Sequence, residues 1–181
     1  MNVFVLCTGR CGSTTFIKAA KHISNFTAGH ETRSTFVGNR RLAYPTAHIE
    51  ADNRLSWFLG RLDRAYGKDA FYIHLQRDLL ATAESFCDRW DFGIMKAYRA
   101  DILMGTDSQE RLAVSVDYCE TVNENIRFFL KDKPNVMDFK LENAMSNWEL
   151  FWNLIKAESD FENSLMEWEI KYNARKHTPI I

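Results

Sequence analysis

The sequence predicts an α/β fold in which a parallel sheet carries helices on both faces, and three observations predict it. A short apolar run, Val3-Phe4-Val5-Leu6, ends in a loop of small residues through Cys7, Gly9, Cys11 and Gly12, and a helical pattern follows at once. Ala70-Phe71-Tyr72-Ile73-His74-Leu75 repeats the arrangement: an aromatic and β-branched strand, then Gln76-Arg77-Asp78, then Leu79, Ala83, Phe86 and Trp90 spaced for one helix face. Further along, helical stripes alternate with a third short strand pattern, which is the signature of helices packed on a parallel sheet.

The remaining elements follow in order. Leu55, Phe58, Leu59 and Leu62 make a helical stripe that ends at the turn Gly67-Lys68-Asp69. Leu112, Val116, Cys119, Ile126 and Leu130 make a longer one, which stops before the turn signal Asp132-Lys133-Pro134-Asn135. Val136-Met137-Asp138-Phe139 is a short strand candidate, and Trp148, Phe151, Trp152 and Ile155 mark another helix. Residues 32–46 and 91–109 carry weak patterns with scattered Gly and Pro, so they are expected to be mobile substrate loops. There is no internal repeat, low-complexity tract or linker, and residues 1–181 are expected to form one domain.

Composition limits the function classes. A hydrophobic content of 46% and an aromatic content of 13% belong to a globular chain and not a disordered one. A net charge of −1 argues against a general nucleic-acid binder. No apolar run reaches the length of a membrane span, and the first strand begins at Val3, so the expectation is a cytoplasmic protein without an anchor. The cysteines, Cys7, Cys11, Cys87 and Cys119, form no C-x-x-C pair and have no His at zinc-finger spacing. Free thiols are expected: Cys7 ending the first strand, Cys87 and Cys119 on packed helices, and Cys11 in the loop with a pKa open to lowering by Arg10.

The first loop has the makings of an anion site. The strand delivers it, the glycines allow close backbone approach, and the first N–H groups of the following helix point at the ligand. Arg10 adds a fixed charge, and Ser13, Thr14 and Thr15 add hydroxyl donors. Phosphate and sulfate groups are the ligands this chemistry suits. It is not a Walker A loop, because Ser13 and not Lys follows Gly12. Gly9 and Gly12 do not make the three-glycine dinucleotide fingerprint. A tyrosine-phosphatase-type loop would place Arg six positions after Cys7, where Ser13 stands. A plain strand-to-helix turn is the alternative.

The second strand ends in Arg77, and Ser85 lies eight residues on, two turns into the helix. Ligands of open α/β sheets bind outside the carboxyl ends of the strands. Two strand ends with anion-seeking side chains suit a nucleotide phosphorylated at both ends.

These two segments resemble those of sulfotransferases that use 3′-phosphoadenosine 5′-phosphosulfate. In that family the first motif, a strand, then a Lys- or Arg-bearing loop with Gly and Ser/Thr, then a helix, holds the 5′-phosphosulfate. Gly9-Arg10-Cys11-Gly12-Ser13-Thr14-Thr15 is similar to the Arg-bearing form of carbohydrate and bacterial members. The second motif, a strand, an Arg and a Ser eight residues on, holds the 3′-phosphate, and Arg77 and Ser85 match it in type and spacing. The resemblance implies a three-layer α/β/α, P-loop-like fold and the phosphosulfate nucleotide as co-substrate without a metal. Arg10, Cys11, Gly12, Ser13, Thr14, Thr15, Arg77 and Ser85 are then the nucleotide-binding residues.

Sulfuryl transfer also needs a base for the acceptor proton and a cation for the leaving phosphate. Arg10 is the candidate cation. Some bacterial members that act on carbohydrates place a catalytic Glu after the first helix, and Glu31 in Gly29-His30-Glu31-Thr32-Arg33 resembles it, with His30 and His48 as rivals. A solvated loop carboxylate is the alternative for Glu31. Basic residues of Asn173-Ala174-Arg175-Lys176-His177 match the family's habit of closing the nucleotide site from the C-terminus, although its Arg-Lys-Gly pattern is absent. The implied acceptor is a small molecule or carbohydrate, with no nucleic-acid or membrane partner. A degenerate P-loop kinase, or a relative that binds nucleotide without turnover, stays open.

Overall fold

A computed structural model describes residues 1–105, 109–170 and 172. Its centre is a five-stranded sheet formed by β1 (Val3–Leu6), β2 (Thr27–His30), β3 (His48–Ala51), β4 (Phe71–Gln76) and β5 (Val136–Lys140). The spatial order is β2-β3-β1-β4-β5, and every pairing is parallel. Val3 lies opposite Ile49 on one side and Phe71 on the other. All five carboxyl ends therefore share one edge.

The alternating side chains of β1 feed two cores. Val3 and Val5 face a core shared with α1 (Ser13–Ala20), α6 (Ala144–Leu154) and α7 (Phe161–Met166), where Phe16 meets Phe139, Trp148 and Phe151. Phe4 and Leu6 face the opposite core, with α2 (Leu59–Tyr66), α3 (Leu79–Cys87), α4 (Gly93–Ala97) and α5 (Arg111–Leu130). Burial on both faces explains the continuous apolar runs of β1 and β4. The three-layer arrangement is the one the strand–helix alternation predicts.

The chain leaves β1 through α1 on one face and leaves β4 through α3 on the other. That change of direction makes β1 and β4 the switch point of the sheet, where a crevice opens at the carboxyl edge.

Several expectations need correction. The segments expected to be mobile loops contain structure. Residues 38–42 form a 3₁₀ helix with Arg41 and Leu42 buried. Residues 93–102 form α4 and a π-helical turn, with Met95, Tyr98 and Arg99 buried. Leu55 belongs to a separate 3₁₀ turn, Asn53–Trp57, which precedes α2, so the stripe is split between two elements. Cys87 ends α3, Cys119 is buried on α5, and all four cysteines are free thiols. The basic residues at Asn173–His177 lie outside the described residues. Among the described residues no helix is long and apolar enough to cross a membrane.

Candidate functional site

The loop after β1 is built from left-handed backbone. Gly9 has φ 88°, Arg10 has φ 60°, and Gly12, the N-cap of α1, has φ 96°. The tight turn needs Gly12 in particular: a Cβ there would meet Leu141 Cδ1 at 2.8 Å as well as strain the backbone. Neighbours fix the loop's rim. Tyr118 Oη donates to the Thr8 carbonyl at 2.7 Å, and Ser56 Oγ donates to the Cys7 carbonyl at 3.2 Å. The amino end of α1 has no side-chain cap and no acidic residue in its first turn, so its dipole and N–H groups favour an anion.

The two motifs meet. Arg77 Nη1 donates to the Arg10 carbonyl at 3.2 Å, and Arg10 Nε donates to Ser85 Oγ at 2.9 Å. These contacts join residues 67 and 75 positions apart. Partial burial and the guanidinium groups of Arg89 and Arg77 lower the pKa of Arg10, while Asp88 opposes that shift. The switch point thus concentrates positive charge, an arrangement that attracts a multiply charged anion.

The hydroxyls of the first loop do not all point one way. Ser13 Oγ lies 3.1 Å from His30 Nε2, at the carboxyl end of β2. Thr15 is buried. Cys11 is fully buried within the core beside α1, so its thiol packs inward and its backbone is what faces the loop. The Cys11 thiol pKa is lowered through hydrogen bonding with Cys7, whose own pKa is raised by that bond and by burial. Arg10 is not the principal cause, contrary to expectation.

Glu31 follows β2 directly, at the ligand edge, with φ 54° and its N–H donated to the Ala51 carbonyl at 3.0 Å. Its carboxylate pairs with Arg54 Nη1 at 2.7 Å. Asp52 accepts the Arg54 backbone N–H at 2.9 Å and binds Arg41 Nη2 at 2.5 Å. The next residue, Thr32, is clamped by the buried Glu50, which accepts from its N–H at 2.6 Å and its Oγ1 at 2.7 Å. His48 begins β3, at the opposite edge of the sheet, bonded to Thr27 and Glu50. That position removes it from the loop, whereas His30 is beside it.

Sequence reasoning overlooked Arg54, Asp52, Glu50 and Arg41, because β3 has no apolar run to mark the strand end that presents them. The carboxylate of Asp78 caps α3, accepting the Ala81 N–H at 2.8 Å, so this acidic strand end is committed to structure.

The structure aligns with the sulfotransferase domain from the curacin biosynthetic pathway at a TM-score of 0.65, 14% identical, over 94% of this chain and 78% of that one. The fold is that of a sulfotransferase domain. No protein-family model matches the sequence, and no curated protein matches it. At this identity the alignment speaks to architecture, and the chemistry must come from the residues themselves.

Proposed function

We propose that this chain is a sulfotransferase that moves a sulfuryl group from 3′-phosphoadenosine 5′-phosphosulfate to a hydroxyl or amine acceptor, a carbohydrate or small metabolite. The observation that carries the reading is the convergence of Arg10, Arg77 and Ser85 at the switch point of the sheet. The residues suit the nucleotide: guanidinium groups gather around an uncapped helix N-terminus without an acidic first turn. Arg77 and Ser85 hold the 3′-phosphate. Arg10, with the backbone of Cys11 and Gly12 and the N–H and hydroxyl groups of Ser13, Thr14 and Thr15, holds the 5′ end. When bound, the nucleotide supplies the activated sulfuryl group and a phosphate leaving group.

Arg10 stabilises charge on the leaving phosphate. Glu31 takes the proton of the attacking acceptor, and Arg54 orients its carboxylate. The contact of His30 with Ser13 favours a second reading in which His30 is the base, since its ring touches the loop while Glu31 is ion-paired. No metal enters this scheme. The single-domain cytoplasmic enzyme expected from the sequence belongs to the same proposal.

The test is calorimetric titration of adenosine 3′,5′-bisphosphate with and without chelator, followed by an acceptor screen with labelled donor. Tight metal-independent binding and transfer of label support the reading. Binding that requires Mg²⁺ would favour a kinase-like protein, and binding without transfer to any acceptor a non-catalytic relative.

A further inference from the structure

An open cavity of about 300 Å³ lies where α3 gives way to α4, beginning two residues beyond Ser85. Its lining residues include Arg89 and Arg111, Trp90 and Phe92, and Asp88 and Asp91. One of the two acids is engaged by a third arginine. Asp91 Oδ1 pairs with Arg99 Nη2 at 3.1 Å. Asp88 acts on Arg10, where it offsets the repulsion from the other cations. Arg89 and Arg111 form no ion pair among the described residues.

Each of these two guanidiniums instead lies near a ring, Arg89 5.8 Å from the centroid of Phe92 and Arg111 5.6 Å from that of Trp90. Phe92 is 67% exposed, an apolar face beside two cations. The lining begins at Cys87, two residues beyond the Ser85 hydroxyl that accepts from Arg10 Nε at 2.9 Å, so the cavity adjoins the loop after β1. Arginine in such a place recognises planar anions, and an exposed ring offers a stacking face for a sugar or an aromatic group.

We infer that this cavity is the acceptor subsite and that it selects an acceptor already carrying an anionic group, a carboxylate, phosphate or sulfate, held by Arg89 and Arg111 with its ring against Phe92. The inference rests on the sulfotransferase reading and names its substrate class. Net repulsion between a charged acceptor and a charged donor is relieved by these two cations, which lie beyond the set that meets the nucleotide.

The experiment titrates matched pairs into protein saturated with adenosine 3′,5′-bisphosphate: 4-hydroxybenzoate against phenol, and glucuronate, glucose 6-phosphate and glucose 6-sulfate against glucose. The anionic member of a pair should bind about tenfold tighter at low salt, with the preference shrinking as ionic strength rises. The three charged sugars identify which anion fits. The double variant Arg89→Gln/Arg111→Gln should abolish the preference, and Arg111→Gln alone should weaken it while leaving bisphosphate affinity unchanged. Equal affinity within every pair, or a preference that survives in the double variant, would overturn the subsite and leave the sulfotransferase reading standing. Failure of the wild-type protein to bind the bisphosphate would overturn that reading, and the acceptor assignment with it.

Discussion

Arg10 Nε donates to Ser85 Oγ at 2.9 Å across 75 positions of sequence, which ties the loop after β1 to the helix after β4. The two residues are proposed to serve opposite ends of one nucleotide, so their contact makes the two phosphate sites neighbours.

Arg77→Ala should remove a charge-assisted contact to the 3′-phosphate and cost about 1.5–3 kcal/mol of binding. Calorimetry with adenosine 3′,5′-bisphosphate should show the loss, and adenosine 5′-phosphate should show little. Equal losses for both nucleotides would detach Arg77 from the 3′-phosphate.

Arg10→Ala should lower kcat more than it weakens binding of the product nucleotide, because its charge matters most as the leaving phosphate forms. Arg10→Lys should restore part of the rate while losing the Nε contact with Ser85. Turnover at the wild-type rate in Arg10→Ala would remove the loop from the reacting site.

Glu31→Gln keeps size and polarity and cannot take a proton. With an acceptor in hand, it should reduce kcat by about 10²–10⁴-fold and leave nucleotide affinity within a few-fold. The paired variant His30→Gln separates the two readings. A nearly active Glu31→Gln beside an inactive His30→Gln would transfer the role to the histidine that touches Ser13.

Burial lowers the pKa of His74, despite its hydrogen bond to Asn123 and the nearby Asp138. A histidine with a lowered folded pKa binds fewer protons folded than unfolded. Its neutral form stabilises the fold above the unfolded value of 6.5, and that stability is lost as pH falls from there through the folded value. Denaturation of wild type and His74→Gln across pH should show the wild-type advantage shrinking on acidification. An advantage constant from pH 8 to pH 5 would contradict the linkage.

The two strands read most directly from the sequence are those covered on both faces by apolar side chains, while the alternation of Val136-Met137-Asp138-Phe139 marks β5, which is exposed on one face. Val3–Leu6 and Phe71–Leu75 announce themselves because each face of the sheet is covered. The strands Thr27-Ala28-Gly29-His30 and His48-Ile49-Glu50-Ala51 do not. Their polar residues are satisfied by one another, with Thr27 and Glu50 both bonded to His48, and such pairing is invisible until the strands align. The same reason hid Arg54 and Asp52, which lie just past β3. Arg10, Arg77 and Ser85 were legible because spacing from a recognisable strand fixes their place. The cavity at Arg89 and Arg111 was not, because it depends on how the start of α5 packs near the end of α3.

The Thr8 carbonyl, at the mouth of the first loop, is held by a hydroxyl that the chain supplies 110 positions later, from Tyr118 on α5. A fragment ending after α3 would contain every residue of both motifs and still lack the group that sets the loop's rim. The shape of this loop is therefore fixed in part by a helix that neither motif contains, and it is complete only when α5 has docked.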